Sequence, residues 1–234
     1  MKIMVMLPRQ LPVTVLVMLV QVWDRSLAQS FDPTMPTNLT VDTGISEDIK
    51  LLLLRLHNAY RRDERLAGDM NRLDWSPALS QEAGRWVKGC DFKHQNNPQW
   101  GENLYRSNFK TTPESTVDNA LIAWHLEQYN IMPSPTGFID CCSENKTTCC
   151  HYTQMVWAST EFLGCAINEC ALLKGDTTEE DLPDAIFLAC YYYPPGNVLS
   201  QQPFQRTSSG QCSLCSATNP DCDNGLCYFE TSRC

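Results

Sequence analysis

The stretch Ala185-Ile-Phe-Leu-Ala-Cys-Tyr-Tyr-Tyr193 decides the fold class. Rich in aromatic and branched side chains, it reads as a strand, and Pro194-Pro195-Gly196-Asn197 ends it. Gly164-Cys-Ala-Ile-Asn-Glu-Cys170 reads as a second strand. His151-Tyr-Thr-Gln-Met-Val-Trp157 alternates and is rich in β-formers, so it predicts a third, with His151, Thr153, Met155 and Trp157 on one face. Short loops between strands exclude parallel crossovers, so the predicted sheet is antiparallel.

Upstream of this sheet the pattern changes to helices. Ser46 caps a first helix, with Glu47 and Asp48 in its opening turn and an apolar stripe of Ile49, Leu52, Leu53, Leu56 and Tyr60. Arg61, Arg62 and Arg65 close its last turns before Gly68. Ser76-Pro77 opens a second helix with Leu79, Ala83, Trp86, Val87 and Cys90 on its buried face. Thr112-Pro113 opens a third, whose stripe runs Val117, Ala120, Leu121, Trp124, Glu127 and Ile131. Helices first and sheet later predict an α+β layered domain. Glu127 is an acid on the apolar side of its helix. Either it has a buried partner, because an unpaired buried carboxylate is expensive, or it sits at the stripe's edge and reaches water.

The compartment follows from the leader and the cysteines. Lys2 and Arg9 precede the apolar run Leu11–Val20, and Ser26-Leu27-Ala28 offers small residues for cleavage, so residues 1–28 read as a secretory signal peptide. The run is short for a membrane span. Of thirteen cysteines in 234 residues, twelve fall between Cys141 and Cys234, a density that suits an oxidising, extracellular setting. Asn38-Leu-Thr40 and Asn145-Lys-Thr147 are then glycosylation sequons. Removing the leader leaves 15 basic against 26 acidic residues, which argues against nucleic acid and anionic membrane surfaces as partners. Residues 29–45 read as an N-terminal arm, 46–197 as the main domain, 198–211 as a Gln/Ser/Pro-rich linker, and 212–234 as a cysteine-rich piece too small for a core of its own. In that piece a zinc site at Cys212-x2-Cys215 is the weaker rival to disulfides.

No His-Glu-x-x-His, Gly-x-Ser-x-Gly or phosphate-binding glycine loop occurs. What remains is His94 after the second helix, Glu102 in Gly101-Glu-Asn-Leu-Tyr105, Glu127, and His151. Taken singly, each is more often a satisfied structural group than a ligand, and their spacing has no metal-motif specificity.

Taken together, His151–Trp157, Gly101–Tyr105 and Cys190-Tyr-Tyr-Tyr-Pro-Pro-Gly-Asn197 resemble the signature segments of the CAP superfamily. That superfamily comprises cysteine-rich secretory proteins, antigen 5 allergens and plant pathogenesis-related proteins. Leu56-His-Asn-Ala-Tyr-Arg61 and the Trp86…Cys90…His94 run are similar too, and the match covers roughly residues 46–197. Within it, the chain is most similar to the glioma pathogenesis-related and peptidase inhibitor 16-like branch. The resemblance implies an α-β-α sandwich with a central antiparallel sheet and a cleft lined by His94, Glu102, Glu127 and His151. His125 is read as a neighbour on the outer helix surface. Two neutral imidazoles can bind a divalent ion such as zinc, with carboxylates as further ligands or orienters. The resemblance implies a secreted module that binds a lipid, a sterol or an extracellular protein. The alternative is a metal-dependent hydrolase in which the same four groups activate water.

The resemblance also implies bridges Cys90–Cys170 and Cys165–Cys190, and in the tail Cys212–Cys222 and Cys215–Cys227. A third family bridge is missing at both ends, with Trp100 and Tyr193 near its expected positions. Adjacent cysteines rarely bridge each other. Cys141 or Cys142 is therefore expected to join Cys149 or Cys150 across the loop before His151. Cys150 stands where relatives usually have glycine. Thirteen is odd, and Cys234 is the candidate for the unpaired thiol, free, capped or joined to a partner chain.

Overall fold

The computed structural model describes residues 31–34, 42–96, 98–108, 111–131, 139, 141–143, 146–175 and 180–230. The predicted signal peptide at 1–28, the two sequon asparagines Asn38 and Asn145, and Cys234 lie outside the described residues.

Three helices start where side-chain caps predict. In α1 (Glu47–Asp63) Ser46 Oγ accepts from the Ile49 N–H. In α2 (Pro77–Val87) Ser76 Oγ accepts from Leu79 N–H, and in α3 (Pro113–Leu126) Thr112 Oγ1 accepts from Ser115 N–H. Each cap satisfies an N–H that the helix itself leaves orphaned. Cys90 lies beyond the end of α2, in a left-handed conformation with φ 49°.

The strands are β1 (Asp74–Trp75), β2 (Gly101–Ser107), β5 (Phe162–Leu173) and β6 (Leu182–Tyr193), in the order β1-β5-β6-β2. The two long strands and β2 pair antiparallel, and the two-residue β1 adds a parallel edge to β5. Alternation along the sheet divides the helices between two faces. Gly164 faces α2 so closely that a Cβ there would stand 2.3 Å from Ser80 N. Its neighbours Leu163 and Cys165 join Leu188, Cys190 and Tyr192 in a core shared with Leu53, Leu121 and Trp124 of α1 and α3. The architecture is an α-β-α sandwich.

One predicted strand is a helix. His151–Trp157 does not pair in the sheet, and Cys150–Met155 forms α4. Tyr152, Thr153, Gln154 and Met155 are all buried. Continuous burial erases the difference between a period of two and a period of 3.6, so β-propensity prevailed in the reading where tertiary context prevails in the molecule. Arg61, one of the basic residues that close the last turns of α1, also has an interior role. It is wholly buried, and its Nε, Nη1 and Nη2 donate to the carbonyls of Asn71, Met155, Trp157, Ala158 and Thr160.

Six disulfides join Cys90–Cys170, Cys141–Cys149, Cys142–Cys150, Cys165–Cys190, Cys212–Cys222 and Cys215–Cys227. Cys141–Cys149 and Cys142–Cys150 run side by side between a small hairpin, β3 (Cys142–Ser143) with β4 (Lys146–Thr147), and the start of α4. The cysteine-rich tail carries β7 (Asp221–Asp223) and β8 (Leu226–Tyr228). Residues 198–211 and this tail lie against the turn after α1. Gly68 N–H donates to Gln205 O, Thr207 N–H to Leu66 O, and Cys227 N–H to Met70 O, while Phe204, Leu226 and Cys227 are buried.

Candidate functional site

The four residues singled out as a tetrad form two His–Glu pairs, one from each helix layer, at the start of the edge strand β2. Glu102, the second residue of β2, lies opposite Tyr191 of β6 on the α2 face. His94, in the loop after α2, places Nδ1 2.6 Å from Glu102 Oε1, and the Gln95 N–H donates to the same oxygen at 3.2 Å. Gln95 Nε2 donates to the Tyr191 hydroxyl, and Trp100 stacks on the Tyr191 ring at 5.2 Å. Trp100 thus supplies an aromatic wall against Tyr191. The Glu102 side chain is 4% exposed and that of His94 65% exposed. Burial and then the neighbouring Glu102 charge push the Tyr191 hydroxyl far above its ordinary range. Glu102 Oε2 is buried with no hydrogen-bond partner among the described residues.

The second pair comes from the opposite face. Glu127 directly follows α3, in a short 3-10 turn (Glu127–Asn130). Its Oε1 lies 2.6 Å from His151 Nδ1, and its Oε2 accepts from the N–H groups of His151 at 2.9 Å and Tyr152 at 3.2 Å. The N-cap of α4, Cys149, makes no side-chain cap. Glu127 therefore caps this helix from another element, satisfying two of its orphan donors with a full negative charge. Both readings of Glu127 hold in part: it has a partner, and its side chain, 21% exposed, also reaches water. The Trp124 ring stacks on His151, 5.9 Å between centroids.

Both imidazoles thus engage a carboxylate through Nδ1, which leaves Nε2 as the nitrogen for a ligand. The four do not pool their ligand atoms. Among the described residues, the one set of three or more such atoms within 4.8 Å of one another is Cys212, Cys215 and Cys227. Those sulfurs are already in disulfides, which removes the rival zinc reading of the tail. His125 stays out of the pairs: it stacks on Tyr60 at 4.1 Å and meets the edge of Tyr152.

A buried chain of polar groups supports the second pair, and it escaped the reading of the sequence. His57 places Nδ1 2.8 Å from Leu53 O and Nε2 2.9 Å from the Tyr192 hydroxyl. Asn103 Nδ2 donates to that hydroxyl at 3.2 Å and to His151 O at 3.0 Å. Burial pulls His57 down to about 4, so it is neutral at pH 7. A carbonyl only accepts, so the proton sits on Nδ1 and Nε2 accepts from Tyr192. The signal was present as the four-residue spacing Ile49, Leu53, His57, Arg61 along one face of α1, all four buried. Two glycines fix the contact between α4 and the sheet end. A Cβ at Gly101 would stand 1.9 Å from Gln154 Oε1, and Gly196 N–H donates to that same oxygen.

Known proteins share this arrangement of segments. Residues 54–192 match the family model described as CAP, the cysteine-rich secretory protein family. GLIPR1-like protein 1 of Mus musculus is 34% identical over 186 residues, covering 74% of this chain and 70% of the relative. Peptidase inhibitor 16 of Mus musculus is 35% identical over 191 residues, 79% of this chain but 34% of its own length. Among solved structures, NaASP2 with Zn2+ superposes with a TM-score of 0.65 at 24% identity, covering 80% of this chain and 98% of that one. Na-ASP-1 superposes with a TM-score of 0.66 at 24% identity over 84% of this chain and 52% of its own. These two share the fold. The family model spans more than half the chain, and its first listed relative is matched over most of both lengths, so this protein belongs to the CAP, or cysteine-rich secretory protein, family.

Proposed function

We propose that this chain is a secreted CAP binding module in which His94 and His151 hold a divalent cation such as zinc through Nε2. Glu102 and Glu127 act as the orienting carboxylates. One observation carries the reading: each imidazole is bound through Nδ1 by a glutamate at 2.6 Å. A carboxylate behind a histidine fixes its tautomer and orientation and raises its basicity toward a metal. Glu102 Oε2, buried and without a partner, fits the same chemistry, since a cation or its bound water would satisfy it. The ion would polarise what it binds. The protein's own part is to hold two nitrogens ready through the glutamates behind them.

Secretion is supported by the leader, by six disulfides and by the family. Among the described residues no helix is long and apolar enough to cross a membrane. The partner belongs to the extracellular space: a lipid or sterol, or another secreted protein.

Calorimetric titration of the purified, oxidised chain with Zn2+ tests the reading. One equivalent is expected to bind, and His94→Ala and His151→Ala are each expected to abolish it. Binding that survives both substitutions places the ion elsewhere and overturns the proposal. Turnover of an ester or peptide lost on chelation and in both variants would favour the hydrolase over the binding module.

A further inference from the structure

The two parallel bridges before His151 differ in their access to solvent. Cys141 is 6% exposed and Cys149 0%, so the inner bridge is sealed. Cys142 and Cys150, which form the outer bridge, are both half-buried. Of the other four bridges, only Cys212–Cys222, in the tail and away from His151, has no buried half-cystine: Cys212 is half-buried and Cys222 exposed, whereas Cys170, Cys165, Cys190 and Cys227 are buried. The outer bridge ends on the first residue of α4, immediately before His151. Cys150 O accepts from Asn197 Nδ2 at 2.9 Å, and the next two N–H groups are those that Glu127 holds. The helix is six residues long and has no side-chain cap at Cys149, so the bridges, Glu127 and Asn197 pin its first turn.

We infer that Cys142–Cys150 is a thiol-reducible clasp: an extracellular dithiol opens it while Cys141–Cys149 keeps the loop attached, and opening loosens the Glu127–His151 pair. A dithiol thiolate attacks one sulfur of the outer bridge, forming a mixed disulfide and releasing the other sulfur as a thiolate that takes a proton from water. The second thiol of the reductant then attacks the mixed disulfide and releases the remaining cysteine. The cystine is reduced by two electrons and the dithiol is oxidised to its disulfide. Access of the attacking thiol decides which bridge reacts, and of the two bridges beside His151 the outer one offers it. The sealed inner bridge makes the change reversible, because it holds the released cysteines near each other for reoxidation. This inference rests on the proposed function only for its effect on metal binding.

The full chain is titrated with dithiothreitol under native conditions, thiols are blocked with N-ethylmaleimide, and labelled cysteines are mapped by peptide mass. Cys142 and Cys150 are expected to label at dithiothreitol concentrations that leave Cys141–Cys149 and Cys165–Cys190 intact. Opening of the inner bridge at the same or a lower concentration overturns the inference. In the clasp-opened chain, and in Cys142→Ser/Cys150→Ser, the His151 imidazole resonance is expected to shift and Zn2+ affinity to fall roughly tenfold, the effect of disturbing a metal's supporting shell. An unchanged resonance together with unchanged affinity also overturns it. If the oxidised chain takes up no Zn2+, the proposed function fails, and the His151 resonance alone decides the clasp.

Discussion

Acidification should weaken this fold through one side chain, His57. Its proton is assigned by its partners: Nδ1 donates to Leu53 O, and Nε2 accepts from the Tyr192 hydroxyl. A second proton on Nε2 would face that hydroxyl donor to donor, inside a site with no exposed surface. The folded-state value of about 4 lies below the ordinary 6.5. A depressed value means the unfolded chain takes up the proton first, so the contribution is complete above pH 6.5 and is lost as pH falls from 6.5 toward 4. The gap corresponds to about 3 kcal/mol. Urea unfolding of the oxidised protein at pH 7 and pH 4 measures it, with His57→Phe as the reference that cannot titrate. Carboxylates weaken both proteins alike, so their share cancels in the difference. The wild type is expected to lose about 3 kcal/mol more than the variant across this window. Equal losses, or a His57 resonance titrating near 6.5, would refute the reasoning. The Asn103 link also predicts that the environment of His151 changes as His57 itself takes up a proton, near pH 4.

Four further substitutions at three positions probe the scaffold. Arg61→Met should cost about 3–5 kcal/mol in denaturant unfolding, because five buried carbonyls lose a charged donor at once. Arg61→Lys should recover less than half of that, since an ammonium cannot reproduce the planar fork. Gly164→Ala places a methyl 2.3 Å from backbone of α2, so the helix must lift from the sheet and the melting temperature should fall, at a cost of about 1–3 kcal/mol. Glu127→Gln keeps the shape but removes the charge that caps α4, and should lower stability by about 1 kcal/mol while shifting the His151 imidazole resonance. An unmoved resonance would show that the pair does not position His151.

Much of this was legible before any coordinates. Ser46, Ser76-Pro77 and Thr112-Pro113 marked three helix starts because capping is a local matter of one oxygen and one N–H. Gly164–Cys170 and Ala185–Tyr193 announced the central strands through residues that suit a buried sheet. The motif segments named the four polar residues and the family. His151–Trp157 was misread because a segment buried on all sides carries no periodic signature. The cysteine loop admitted two cross-pairings, and the fold joins Cys141 to Cys149 and Cys142 to Cys150.

Composition and local pattern alone determined a cysteine-rich, cross-linked chain, helices followed by strands, and four residues of interest. Tertiary structure decided what those residues do to one another. Glu102 is committed to His94, and Glu127 to both His151 and the start of α4, while Arg61 and His57 become buried pins. The reason is that caps and strand propensity act within a few residues. A carboxylate's partner and a base's protonation state depend on groups brought together from across the chain, and only burial makes those interactions strong enough to matter.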